Sequence, residues 1–329
     1  THEIEILESS EADISKLYVD CQKNPGHKKF VPVSRFTIKD LPEGYQDALL
    51  CLLVKAVADL TVRIRVDALS PRRPKFWPNT ETPYPFHGEK NNIVRCGSGQ
   101  ITAYKYVNGY GTDGFGNSYH YFLGSRIKQP YKTCPCEECQ QSPEPSTIWW
   151  DILVHTATHV VFDHIEARSV MCRLFYDDVN SAPIILANSP VCFANEEHDK
   201  TILKFVTCDP LLGGALYKKV KYCFGLWQRI WEKFKYDDKF IFIVSHPHGF
   251  TKQVSFGKLI QEKQEVIDYT EDYDLSKLAY TTCTCPGSSG ATVHCLGFDN
   301  GHCHSGTFKG TKWNFSCVCY SRKRTYRTK

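Results

Sequence analysis

Hydrophobic and polar positions follow two different periods along this chain of 329 residues. Between Asp47 and Leu60, the apolar residues Leu49, Leu50, Leu53, Val54 and Val57 recur at helical spacing, which predicts a helix. Thr61–Val66 then alternates as a half-buried strand does. Ser70–Pro85 is rich in proline and reads as a linker or surface loop. From about Asn92 the pattern changes to short strands and turns, with strands expected over 101–107, 149–155, 169–176, 183–187 and 200–207. Leu216–Phe234 interrupts them: Leu216, Val220, Cys223, Trp227, Ile230 and Phe234 form one face and lysines fill the other, as in an amphipathic helix packed by its Trp face. Phe240–Val244 is a continuous apolar run and so a buried strand, His246–Gly249 its turn and Gln253–Phe256 the return. A last strand is expected from Thr311 to Tyr320. Many short strands joined by turn residues imply a β-sandwich or barrel architecture.

Composition narrows the class without naming a chemistry. Aromatic residues at 13% and charged residues at 23% describe a folded globular chain. A net charge of +4 is small, and no long Lys/Arg block appears before the short tail Arg322-Lys323-Arg324, so no nucleic-acid partner is expected. No apolar run approaches the roughly 20 residues of a membrane span. Tyr110–Gly116 is glycine-rich but lacks the lysine and following helix of a phosphate loop.

The segment Cys283-Thr284-Cys285-Pro286-Gly287-Ser288-Ser289-Gly290 carries the candidate chemistry. A nucleophilic serine needs a tight turn that exposes its hydroxyl and aims neighbouring N–H groups at one oxyanion. It also needs a base and a group that orients the base. Thr156-Ala157-Thr158-His159 ends a strand with a histidine, and Asp199 begins the apolar strand Lys200-Thr201-Ile202-Leu203. The order His159, Asp199, Ser289 and these settings resemble trypsin-like serine proteases, whose T-A-A-H and D-x-A-L-L segments have the same form.

Further segments are similar to the glutamyl endopeptidases and their relatives within that group. They are Gly97-Ser98-Gly99 before a strand, Val244–Gly249 followed by Val254–Gly257, Tyr273-Asp274-Leu275, and Gly301–Gly306. The resemblance implies a mostly β, two-barrel trypsin-like fold with an N-terminal helix/strand extension and an inserted amphipathic helix. Its divisions would be an extension at 1–84, a first barrel at 85–210 with His159 and Asp199, a helical insertion at 211–238, and a second barrel at 239–329 with Ser289. It implies a serine endopeptidase acting on polypeptides, with Ser289 as nucleophile, His159 as base, Asp199 as orienting group, and the N–H groups of Gly287 and Ser289 as oxyanion hole. Thr284 and His304 would line a pocket for a Glu or Gln side chain. The chain departs from the pattern at Ser288, where the family has Asp or Asn, and at Val160, where animal trypsins have a cysteine. It also shows no Ile-Val-Gly-Gly start, which leaves activation by a newly cleaved N-terminus unsupported. The alternative is an inactive homologue that binds or supports, stabilised by zinc or disulfides.

Sixteen cysteines leave two chemistries open. Cys134, Cys136 and Cys139 would supply three ligands of a structural zinc, although no cofactor is required by the expected chemistry. His155 and His159 form an H-x-x-x-H pair but lack the glutamate of the zinc-protease motif. The even cysteine count and the Asn314-Phe315-Ser316 sequon favour secretion, whereas the absent protease disulfide and the paired thiols favour a reducing compartment.

Overall fold

A computed structural model describes residues 2–7, 11–90, 93–113, 131–187, 189–235, 239–263, 265–269, 273–296 and 301–322. The rest of the glycine-rich stretch after Asp113 and the basic tail from Lys323 lie outside the described residues.

Apolar alternation drives the strands into two lobes. In the first, the antiparallel order runs Ile184–Ala187, Val170–Leu174, Thr61–Val66, Arg95–Val107, Ile148–Thr156, Lys200–Thr207 and Val191–Asn195, with Glu5–Ile6 and Tyr110–Thr112 also paired to Arg95–Val107. Its inner face buries Val62, Ile64, Ile101, Ile152, Val154 and Leu203 as one core. The second lobe comprises two four-stranded antiparallel sheets. One orders Val293–Cys295, Phe240–Ser245, Gln253–Lys258 and Phe30–Pro32; the other orders Glu265–Tyr269, Tyr273–Tyr280, Asn314–Arg322 and His304–Thr307. Ile241, Ile243 and Val293 of one sheet pack against Leu278 and Tyr280 of the other. The chain is thus mostly β, with the two-barrel trypsin-like arrangement that the resemblance implies.

The two helical patterns meet each other. Helix Ala48–Leu60 starts where the Asp47 carboxylate accepts from the Leu50 N–H at 2.9 Å, an N-cap that satisfies one of the helix's free donors. Its buried Leu50, Leu53, Val54 and Val57 form a third core with Leu226 and Ile230 of helix Leu212–Phe234 and with Phe240 and Phe242. The second helix begins four residues before its apolar stripe, because Gly213 lets the backbone approach the Trp150 ring, where a Cβ would lie 2.7 Å away.

One expectation about the N-terminal third needs correction. The segment 1–84 is not set apart from the barrels: Thr61–Val66 lies inside the first sheet and Phe30–Pro32 adds a strand to the second lobe. Thr61–Val66 is also covered on both faces, so even Arg63 is buried. Ser70–Pro85 is a loop with most positions exposed, as expected, but it is anchored by the buried side chains of Ser70, Arg73, Trp77 and Tyr84. Proline content marked the absence of regular hydrogen bonding there but could not register this packing. The Asn314 sequon is likewise unavailable for modification: Asn314 and Ser316 are buried in a strand, and the Asn314 amide donates to the Thr282 carbonyl at 2.6 Å.

Candidate active site

Strand ends and one turn converge between the lobes. Ile148–Thr156 ends just before Thr158-His159, and Asp199 lies immediately before Lys200–Thr207. These strands pair directly, with Thr156 opposite Thr201, so their ends bring the histidine and aspartate together. The Asp199 carboxylate accepts from His159 Nδ1 at 2.8 Å and from the His159 backbone N–H at 3.1 Å. It also accepts from the Ser305 hydroxyl. Burial pushes the Asp199 carboxyl up, but the His159 imidazole and its hydrogen bond, with His2 and Ser305 beside them, bring the net shift below the ordinary carboxylate range. A carboxylate on Nδ1 leaves His159 Nε2 as the free edge, and that atom is buried with no hydrogen-bond partner among the described residues.

A buried ion cluster holds the histidine's loop. Glu166, fully buried, accepts from Arg73 Nε at 2.7 Å and pairs with Arg95. The same guanidiniums reach the loop backbone: Arg73 Nη2 donates to the His159 carbonyl at 3.0 Å and Arg95 Nε to the Val160 carbonyl at 2.9 Å. Val160, where the trypsin pattern has a cysteine, belongs to the first core.

The serine turn is clamped to the first lobe. The Ser98 N–H donates to the Ser289 carbonyl at 2.8 Å, and the Ser98 hydroxyl donates to the Gly287 carbonyl at 2.8 Å. Gly287 has φ +89°, and a Cβ there would meet the His246 carbonyl at 2.6 Å. Gly290 has φ +87°, and a Cβ there would lie 2.3 Å from the Ser98 carbonyl. Both positions therefore require glycine, for conformation and for close approach. Ser288 does not act as the family's Asp or Asn; its hydroxyl lies 3.1 Å from that of Ser245 and accepts from the Cys285 N–H at 3.3 Å, bracing the turn from inside. The N–H groups of Gly287 and Ser289 donate to no backbone carbonyl among the described residues.

The chain's own residues 2–7 run through this site. The Ser289 hydroxyl donates to the Glu3 carbonyl. On one side His2 bridges Gly306, and its ring stacks on Trp77 at 4.0 Å and lies 5.0 Å from the His159 ring. Burial, then the neighbouring His159, push the His2 imidazole down to about 3. On the other side Glu5 and Ile6 pair with Cys96 and Arg95, and the Leu7 N–H donates to the Val94 carbonyl at 2.9 Å.

The Glu3 side chain fills a polar pocket that includes both residues expected to line one. Its carboxylate accepts from the Thr284 hydroxyl at 3.1 Å and from His304 Nε2 at 3.2 Å. Lys23 pairs with the same carboxylate and donates to the Thr307 hydroxyl at 2.9 Å. Behind His304, the Tyr280 hydroxyl lies 2.7 Å from Nδ1 and donates to the Phe315 carbonyl at 3.2 Å. Burial lowers the His304 pKa more than Glu3 raises it, and Lys23 brings a positive charge to the same carboxylate. Burial pushes the Glu3 carboxyl up, but His304 and Lys23 outweigh it and hold it below the ordinary range.

Sequence reasoning missed Lys23, Trp77, Tyr280 and Ser305. Only Ser305 had a local signal, as the neighbour of His304. Lys23 reaches the pocket from a segment more than 250 residues away in sequence, a proximity no motif encodes.

Cysteines gather without disulfides among the described residues. Cys134, Cys136 and Cys139 are joined by Cys208, whose Sγ lies 3.6 Å from that of Cys139 and 3.8 Å from that of Cys136. A four-thiolate set of this kind fits structural zinc. His155 faces Thr102, at 2.8 Å, and does not join His159 in any cluster of metal-binding groups among the described residues.

No family model matches the chain, and no curated protein matches it. Solved structures that it is similar to include the Rv3671c protease from M. tuberculosis in its active form, at 13% identity and a TM-score of 0.38, covering 83% of this chain and 82% of that one. Another is the HtrA-type protease AlgW with a decapeptide, at 12% identity and a TM-score of 0.37, covering 81% of this chain and 62% of that one. At these scores the roles of individual residues rest on this chain's own geometry.

Proposed function

We propose that the chain is a serine endopeptidase that cuts polypeptides after glutamate. The observation that carries this reading is Glu3, whose carbonyl meets the Ser289 hydroxyl while its carboxylate occupies the pocket of Thr284, His304 and Lys23. In this reading Ser289 Oγ attacks the carbonyl carbon on the carboxyl side of a Glu residue. His159 Nε2 takes the hydroxyl proton and returns it to the leaving amine. Asp199 fixes the ring through Nδ1 and stabilises the imidazolium that forms. The N–H groups of Gly287 and Ser289 receive the developing oxyanion, each contributing about 3 kcal/mol. The acyl-enzyme ester is then hydrolysed by water with His159 again as base. The Glu3 pocket beside Ser289 favours this reading over an inactive homologue; the Ser289 hydroxyl donates to the Glu3 carbonyl, and His159 Nε2 has no hydrogen-bond partner among the described residues.

Selectivity follows from the pocket's charge and reach. A Gln side chain keeps the His304 hydrogen bond but loses the charge of Lys23, whereas an Asp side chain is one methylene short. Fluorogenic peptides differing only at this residue are expected to rank Glu above Gln and Asp, by at least about tenfold in kcat/KM, the factor that 1.4 kcal/mol produces. Lys23→Met should narrow the Glu/Gln gap, and His304→Ala should lower kcat/KM for Glu. Equal rates for Glu, Gln and Ala peptides would sink the specificity while leaving the hydrolase reading intact.

A further inference from the structure

We propose that Cys21, His27, His248 and Cys285 form a zinc site that ties the N-terminal segment to the serine turn. All four are buried, and their ligand atoms lie within 4.8 Å of one another. Cys21 Sγ and Cys285 Sγ are 3.6 Å apart, and His27 Nε2 is 3.5 Å from Cys285 Sγ. A tetrahedron built on Zn–S of about 2.3 Å and Zn–N of about 2.0 Å has S–S and S–N edges of about 3.5–3.8 Å, so these separations suit one ion at the centre. The second observation is His248: its Nδ1 lies 2.5 Å from a Glu5 oxygen, while Nε2, in a residue 5% exposed, has no partner among the described residues. A histidine held by a carboxylate on one nitrogen, with the other nitrogen free, is the form that zinc-binding imidazoles take. The sulfurs are also approached as thiolates would be: the Asn24 backbone N–H points at Cys21 Sγ at 3.3 Å, and the Asn24 amide at Cys285 Sγ at 3.1 Å.

The position gives the ion a consequence. Cys285 precedes Gly287 by two residues, and the His248 N–H donates to the Pro286 carbonyl at 2.6 Å. Cys21 and His27 flank Lys23. One ion would therefore fix both the oxyanion turn and the lysine of the glutamate pocket.

Metal analysis with native mass spectrometry tests this. The whole chain is expected to carry two zinc ions, one here and one at Cys134, Cys136, Cys139 and Cys208. Cys21→Ser and His27→Ala should each remove one, and Cys136→Ser the other. Cobalt substitution of Cys136→Ser should still give a tetrahedral spectrum. A disulfide between Cys21 and Cys285 in the unreduced protein would overturn the proposal. So would a folded, zinc-free Cys136→Ser protein, an outcome that does not depend on whether the Cys21 and His27 variants fold.

A separate observation supports a second inference, which rests on the peptidase reading above. We infer that the Glu3–Ile4 peptide bond is an intramolecular substrate. The backbone is held in strand pairing on both sides of that bond, by Gly306 at His2 and by Cys96 and Arg95 at Glu5 and Ile6. Ser289 Oγ would bond to the Glu3 carbonyl carbon, the C–N bond to Ile4 would break, and the Ile4 amine would leave with the proton carried by His159. Water would then release Glu3 as a carboxylate.

N-terminal sequencing and intact mass of freshly folded protein are expected to show a chain starting Ile4-Glu5-Ile6. Ser289→Ala and Glu3→Ala should stay uncut. If the wild type cleaves Glu peptides added to it yet keeps Glu3–Ile4 intact, this inference fails and the peptidase reading survives. If neither is cleaved, both fail.

Discussion

Ser289→Ala is expected to abolish turnover of a Glu-containing peptide, lowering kcat by about 10⁶-fold, the loss seen when a triad serine is removed from another fold. The variant should remain folded. The Ser289 hydroxyl makes its hydrogen bond to the Glu3 carbonyl, whereas its backbone carbonyl, which the change leaves alone, takes the bond from Ser98. A fluorophosphonate probe should label the wild type once and the variant not at all. Ser288→Ala is the informative control. Its hydroxyl braces the turn by accepting from the Cys285 N–H, so its loss should cost about 1–3 kcal/mol of stability for the unmet buried donor while labelling at Ser289 persists. Labelling that survives Ser289→Ala but disappears in Ser288→Ala would reverse the assignment of the nucleophile.

Glu166→Ala is the substitution expected to damage the fold most. It would leave the buried Arg73 and Arg95 guanidiniums facing each other with no counter-charge. Removing one partner of a buried ion pair costs about 3–5 kcal/mol, because the remaining charge stays desolvated. Two guanidiniums share this carboxylate, so the upper part of that range is expected. The measurement is the urea midpoint at unchanged slope, which separates lost stability from a changed unfolded state. Because Arg73 and Arg95 also hold the His159 and Val160 carbonyls, activity should fall at denaturant concentrations well below the global midpoint. A variant within 1 kcal/mol of wild type would show that the cluster is not what anchors the histidine's loop.

The two predictions probe different parts of what the sequence made visible. Ser289, His159 and Asp199 were singled out from strand-end and turn settings together with the resemblance of their segments and order to trypsin-like proteases, and the structure brings His159 and Asp199 into hydrogen-bond contact. Thr284 and His304 were legible only through resemblance, yet both contact Glu3. The Glu166 cluster left no pattern at all: Arg73 lies in a proline-rich stretch that read as surface, and its partners are distant in sequence.

Many strand positions, the helix at 47–60, the amphipathic helix and the mostly β class were determined by the sequence itself, since hydrophobic period follows directly from the geometry of each element. Strands Phe30–Pro32, Val191–Asn195, Glu265–Tyr269 and Tyr273–Tyr280 and helix Glu11–Val19 were not expected from it. Tertiary structure alone decided which cysteines meet, that Lys23 enters the glutamate pocket, that residues 2–7 cross the serine, and that segment 1–84 is woven into both lobes. Those outcomes depend on where the sheets close and what they enclose. Closure is set by many packing contacts summed over the whole chain, and no short stretch of residues carries that sum.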